Sequence, residues 1–145
     1  PPLQRAWFAQ LARQVQGNID AHLDGMAKAC SEPDQKILTD PTYRPMLAAE
    51  KTEAWKYGPE GTLTDYNTAS PHGFDPAEVT QPVAVFHGAQ DTIVAPDAGR
   101  TLARRLPNGE FHSLDPGGHL CVLTYWAELL DTLAAKTTQP RRDRS

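Results

Sequence analysis

The sequence predicts an α/β fold in which a helical block precedes a β-α-β-α unit with two parallel strands. Three observations carry this. Apolar residues recur at helical spacing through the first 61 residues. A continuous apolar run, Val83-Ala84-Val85-Phe86, then breaks that period, as a strand covered on both faces does. A helical stripe, a second short strand and a further helical stripe follow, and the crossover rule makes the strands parallel with a right-handed connection.

The block over residues 1–61 divides into four helices. Leu3, Trp7, Leu11 and Val15 mark one face of the first. Gly17 and Asn18 punctuate it, and Asn18 caps a second helix with Ile19, Leu23, Met26 and Cys30 inward. Ser31-Glu32-Pro33-Asp34 opens a short third helix holding Ile37 and Leu38; a Ser cap with Pro in the first turn suits a helix start. Asp40-Pro41 opens a fourth, with Met46, Leu47, Ala54 and Tyr57 inward and Gly58 as its stop. Trp7, Phe8, Trp55 and Tyr57 read as packing residues rather than as the wall of an apolar pocket.

Over 62–81 the composition turns to Pro, Gly, Thr, Ser, Asp and Asn around isolated Leu63, Tyr66 and Phe74, the pattern of an irregular connecting segment. Residues 82–135 form the β-α-β-α part. The apolar strand comes first. A helix begun by Pro96-Asp97 turns Leu102, Ala103 and Leu106 inward and ends at Pro107-Asn108-Gly109. A strand from Glu110 to Leu114 follows. A final helix from Leu120 to Ala135 carries the stripe Leu123, Trp126, Leu130 and Leu133. Residues 136–145 are a polar tail holding Arg141, Arg142 and Arg144.

A chain of 145 residues suits one ordinary domain. The net charge of −4 is dispersed and no basic stripe crosses the core, so nucleic acid is not an expected partner. No apolar run approaches membrane-spanning length, so neither is a membrane. Cys30 and Cys121 lie far apart on apolar faces and read as free thiols rather than a disulfide; neither belongs to a metal-ligand spacing. No metal or organic cofactor is expected. A start at Pro1-Pro2 without Met suggests a processed or truncated product, with a cytoplasmic location as the expectation.

The candidate chemistry sits past the two strands. Asp91 follows the first strand and His119 follows the second, and function in open parallel sheets collects at the carboxyl ends of strands. Neighbouring strands are about 5 Å apart, so short turns bring the two side chains together. A carboxylate beside an imidazole fixes its tautomer, orients it and stabilises the imidazolium. Gly88 is expected to allow a sharp turn, and Gly117-Gly118 positive φ and close backbone approach, so that the imidazole reaches the site. Asp97 reads instead as a helix N-terminal charge. Asp115 is too near His119 in sequence to reach back. His87 is expected to pack and hydrogen-bond at the strand end; His22, His72 and His112 are structural or exposed.

The motifs Pro82-Val-Ala-Val-Phe-His-Gly-Ala-Gln-Asp91-Thr-Ile-Val94, Leu102-Ala-Arg-Arg-Leu-Pro107 and Gly117-Gly-His119-Leu120 make residues 82–133 resemble the C-terminal part of the α/β-hydrolase fold family. The helical block resembles that family's cap or lid, as in capped esterases, epoxide hydrolases and peptidases of the iminopeptidase type. The resemblance implies a serine-type hydrolase acting on an ester, amide or related acyl bond of a small-molecule substrate, with Asp91 as acid and His119 as base. One feature departs from the pattern. The family's nucleophile sits on a Gly-x-Ser-x-Gly elbow, and no such elbow, nor a Cys or Asp version, occurs here. Ser31, Ser70, Ser113 and Ser145 lie on no strand-turn-helix elbow. The expectation is a chain carrying acid and base without the nucleophile and inactive alone, its sheet completed by a missing N-terminal half or a second copy. An Asp-nucleophile epoxide or haloalkane-type hydrolase and a non-catalytic, hydrolase-derived binding fragment remain as alternatives.

Overall fold

The computed structural model describes residues 2–68 and 73–137. Within them the fold is mixed α/β. Helices α1 (Pro2–Gly17), α2 (Ile19–Ala29), α3 (Glu32–Thr39), α4 (Arg44–Ala54) and α5 (Glu60–Thr68) precede β1 (Val83–Gly88), α6 (Pro96–Arg105), β2 (Gly109–Leu114) and α7 (Trp126–Thr137). Single 3-10 turns occur at Pro76–Glu78 and Cys121–Leu123.

The helix breaks follow local chemistry. Asn18 takes an extended backbone and its side chain accepts the Ala21 N–H at 3.0 Å, starting α2 one residue after α1 stops. Asp20 in the first turn and Lys28 in the last suit the dipole of α2. Gly58 adopts φ 87°, the left-handed conformation expected of the stop after α4. Two apolar clusters result. Leu23, Ala27, Ile37, Leu38 and Leu47 join α2, α3 and α4; Phe8, Ala12, Val15 and Trp55 join α1 to the end of α4.

Strands β1 and β2 pair in parallel, Val83 opposite Gly109 through Gly88 opposite Leu114, and α6 packs across both as the crossover. Gly109 is needed where α6 meets β2, because a Cβ there would collide with the Ala103 carbonyl and the Leu106 side chain. Phe86 stacks on its register partner His112 with ring centroids 4.6 Å apart, a structural place for that histidine.

Several expectations are corrected. The buried face of α1 is Phe8, Ala12 and Val15, while Leu3 is exposed and Trp7 is 61% exposed. Of the expected stripe, Val15 is buried and Leu11 packs on its cluster, but Phe8 takes the inward place expected of Trp7: it meets Trp55 and Tyr66, at centroid distances of 6.1 and 5.7 Å, and those contacts set the rotation of the helix. At the end of α4, Trp55 is buried and Tyr57 is 85% exposed, the reverse of an inward Tyr57; Met46 and Ala54 also face outward. The irregular segment expected over 62–81 begins as helix α5, whose Leu63 packs on the α1–Trp55 cluster. Tertiary contact outweighs the weak helix propensity of its Gly, Thr and Asn there. Residues 69–72, with Ser70 and His72, lie outside the described residues.

In the C-terminal part, the final helix starts at Trp126 rather than Leu120, after the 3-10 turn. Of its stripe, Leu123 packs on the α2–α3–α4 cluster, whereas Trp126, Leu130 and Leu133 are exposed. Strand β1 is half-buried over Val83 to His87 rather than covered on both faces, because α6 is the helix that packs on it. Leu102 faces outward while Ala103 and Leu106 are buried. The tail from 138 onward, including Arg141, Arg142, Arg144 and Ser145, lies outside the described residues.

Candidate functional site

The turns that leave β1 and β2 are stitched directly to each other. Ala89 N–H donates to the Leu114 carbonyl at 2.8 Å and Gln90 N–H to the Gly117 carbonyl at 2.7 Å. This approach is too close for side chains. A Cβ on Gly88 would run into the carbonyls of Gly117 and Gly118, and one on Gly117 would stand 2.7 Å from the Leu114 oxygen. Neither Gly117 nor Gly118 has positive φ, so the glycines serve close approach and not the left-handed turn expected of them.

Asp91 and His119 meet at the carboxyl end of the sheet, where Asp91 Oδ2 lies 3.0 Å from His119 Nδ1. A carboxylate oxygen only accepts, so Nδ1 carries the proton and donates it. The other oxygen of Asp91 accepts the N–H groups of Ile93, at 2.8 Å, and Val94, at 2.9 Å. Its side chain is 5% exposed. Burial by itself would push the Asp91 carboxyl up; hydrogen bonds from Val94, His119 and Ile93 outweigh it and hold the group below its ordinary value. The His119 side chain is 45% exposed. Among the described residues nothing hydrogen-bonds its Nε2, which is the atom a base would use.

His87 closes the rear of the acid. Its Nε2–H donates to the Val94 carbonyl at 2.9 Å and stands 3.2 Å from Asp91 Oδ2. Its ring fits because Gly99 of α6 has no Cβ to meet Nδ1. The competing acids sit elsewhere. Asp97 is in the first turn of α6, 3.6 Å from Arg100, and Asp115 accepts a 3.4 Å bond from Gln90. Cys30 and Cys121 are both free. Burial pushes each thiol up, and the charges of Asp34 and Asp91 add to it, the opposite of what a nucleophilic thiolate requires. Ser31 gives its hydroxyl proton to Asp34 at 2.9 Å, and Ser113 lies exposed on β2. No group of three or more His, Cys, Asp or Glu among the described residues is arranged to hold a metal ion, and no helix among them is long and apolar enough to cross a membrane.

One residue of this region carried no functional signal in the sequence. Asp34 of α3 is fully buried and accepts the backbone N–H groups of His119 and Leu120, each at 2.8 Å. Ser31-x-x-Asp34 looks like an ordinary helix start, but Ser31 makes no capping bond to α3 and Asp34 turns its carboxylate to a turn 85 residues away. A burial signal was present, since Asp34 shares the inward face with Ile37 and Leu38. Beside it a cleft of about 480 Å³ opens between α3 and the turn after β2, bounded by Ile37, Tyr43, Gln90, Gly118, Cys121 and Tyr125. Neither Asp91 nor His119 lines that cleft, so the pair's geometry, and not the cavity, marks the site. Comparisons with protein-family models, curated proteins and solved structures find no match for this chain.

Proposed function

We propose that Asp91 and His119 are the acid and base of a hydrolase of the α/β-hydrolase fold, acting on an ester, amide or related acyl bond of a small molecule. The observation that carries this reading is the 3.0 Å Nδ1–Oδ2 contact between them, with the second oxygen of Asp91 locked by two backbone N–H groups. That arrangement leaves the lone pair on the unpartnered Nε2. His119 takes a proton there from the attacking hydroxyl, Asp91 stabilises the imidazolium, and Nε2 returns the proton to the leaving group. The nucleophile comes from residues outside this chain, because the sequence has no elbow motif and Ser31 is committed to Asp34.

The test is hydrolysis of a generic aryl ester by the full gene product that contains these residues, and by the 145-residue chain. The full product is expected to be active and to lose activity by about 10³-fold or more in His119→Ala, while the isolated chain is inactive. Activity that survives His119→Ala refutes the reading. A second reading, a non-catalytic interaction piece, is favoured by the exposed stripe Trp126, Leu130 and Leu133. It predicts no hydrolysis by either protein.

A further inference from the structure

We propose that Asp34 is a positioning residue for His119, tying the place of the base to the helical block rather than to the sheet alone. The inference rests on the reading of His119 as base and adds what holds it there. Three features point to it. Asp34 has 0% exposure, and its carboxylate spans two consecutive N–H groups, Oδ2 to His119 and Oδ1 to Leu120, each at 2.8 Å. Both oxygens are thus hydrogen-bonded, and Oδ2 takes a further donor, Ser31 Oγ–H at 2.9 Å. The approach is shaped for it as well, because a Cβ on Gly118 would overlap the Asp34 carboxyl group.

The two donors stand just ahead of the 3-10 turn at Cys121–Leu123, Leu120 as its N-cap and His119 before it, and no side chain of the N-cap bonds the turn. A carboxylate from another helix supplies what a local cap would supply. His119 is thereby held at both ends: its backbone N–H by Asp34 and its ring Nδ1 by Asp91. Two torsions remain between those anchors, so their positions together fix Nε2. Leu120 and Leu123, on the far side of the clamp, pack into the α2–α3–α4 cluster and hold α3 against the turn. A shift of α3 therefore carries the His119 backbone with it and stretches the contact to Asp91.

The experiment uses the full gene product labelled with ¹⁵N-histidine and ¹⁵N-leucine, and the variant Asp34→Asn, which keeps shape and one oxygen but turns an NH₂ toward a backbone N–H. In the wild type the His119 ring is expected as the Nδ1–H tautomer, with slowly exchanging His119 and Leu120 amides. In Asp34→Asn the Nδ1–H signal should give way to a tautomer mixture, and kcat should fall by about 10²-fold, the loss that a misplacement of about 1 Å brings, with KM nearly unchanged. Gly118→Ala displaces the carboxylate without removing it and should give the same signature if Asp34→Asn does not fold. An unchanged His119 tautomer in the variants overturns the proposal, even if activity drops, because a structural lesion alone would produce that drop. Rapid exchange of the two wild-type amides overturns it whatever the stability of the variants. A wild-type His119 without Nδ1–H overturns the acid–base reading itself, which separates the two failures.

Discussion

Replacing Asp91 separates its structural work from its electrostatic work, because its two oxygens do different things. Oδ1 serves the Ile93 and Val94 N–H groups and Oδ2 serves the histidines. Asp91→Asn can keep the Oδ1 bonds, so the turn survives. Its NH₂, however, faces His119 Nδ1 and His87 Nε2. His87 needs its Nε2 proton for the Val94 carbonyl, leaving two donors opposed, and His119 must move its proton to Nε2 to accept. Exchanging one charge-assisted bond for a neutral one costs about 1 kcal/mol, and an opposed buried donor about 1–3 kcal/mol, so Asn should destabilise by about 2–4 kcal/mol. Asp91→Ala loses three bonds to a charged acceptor, each about 1.5 kcal/mol, or about 4–5 kcal/mol in all; water can reach the freed N–H groups of the exposed Ile93 and Val94 and limits the loss. The catalytic penalty for Asn should be about 10⁴-fold, since a base protonated on Nε2 cannot accept. The pH dependence has a definite sign. Asp91 titrates below its ordinary value of 3.8, so its stabilisation is present above that value and is lost as pH falls through the lower folded-state value. Urea unfolding from neutral pH to below 3.8 should show a loss in the wild type that Asp91→Asn lacks over that interval. Parallel loss in both proteins, or an Asn variant that retains wild-type hydrolysis, would refute the assignment.

Two further outcomes follow from the packing. Gly88→Ala places a methyl group against the Gly117 and Gly118 carbonyls and should cost about 1–3 kcal/mol in thermal unfolding while separating His119 from Asp91. By contrast Gly25→Ala in α2 meets nothing within 4 Å and should stabilise by about 0.5–1 kcal/mol; equal effects at both sites would contradict the close approach assigned to Gly88. The 145-residue chain alone should associate with concentration in sedimentation, through the open edge of the β1–β2 pair and the exposed Trp126, Leu130 and Leu133. A monodisperse monomer that unfolds cooperatively at low concentration would count against that.

What was legible in the sequence was local. The apolar run at 83–86, the Asn18 cap and the Gly58 stop each follow from a few neighbouring residues, and each lies where its chemistry put it. Parallel pairing of β1 and β2 follows once the crossover helix is recognised, since the helix returns the chain to the end of the sheet where β1 began. Facing was less legible. The start of the α1 stripe and the end of the α4 stripe lie one or two residues off the expected positions, because Phe8 and Trp55 bury in one cluster and no periodicity within one helix records its partner. The helix α5 was hidden by a loop-like composition, for its Leu63 packs on the α1–Trp55 cluster and its Tyr66 ring on Phe8, contacts that no local pattern records.

The same division runs through the site. Asp91 is set by its own turn: Ile93 and Val94, two and three residues on, hold one oxygen, and His87, four residues back, stands against the other. His119 is set by distant groups, Asp91 at 28 residues' separation and Asp34 at 85. The placement of Asp91 therefore reads from a short motif, while the geometry of His119 depends on contacts with the helical block. Damage to α3 should accordingly reach His119 and leave the Asp91 turn formed, whereas damage at Gly88 reaches both, since that is where the two turns touch. The helical block thus reaches the site through Asp34, which accepts the backbone N–H groups of His119 and Leu120.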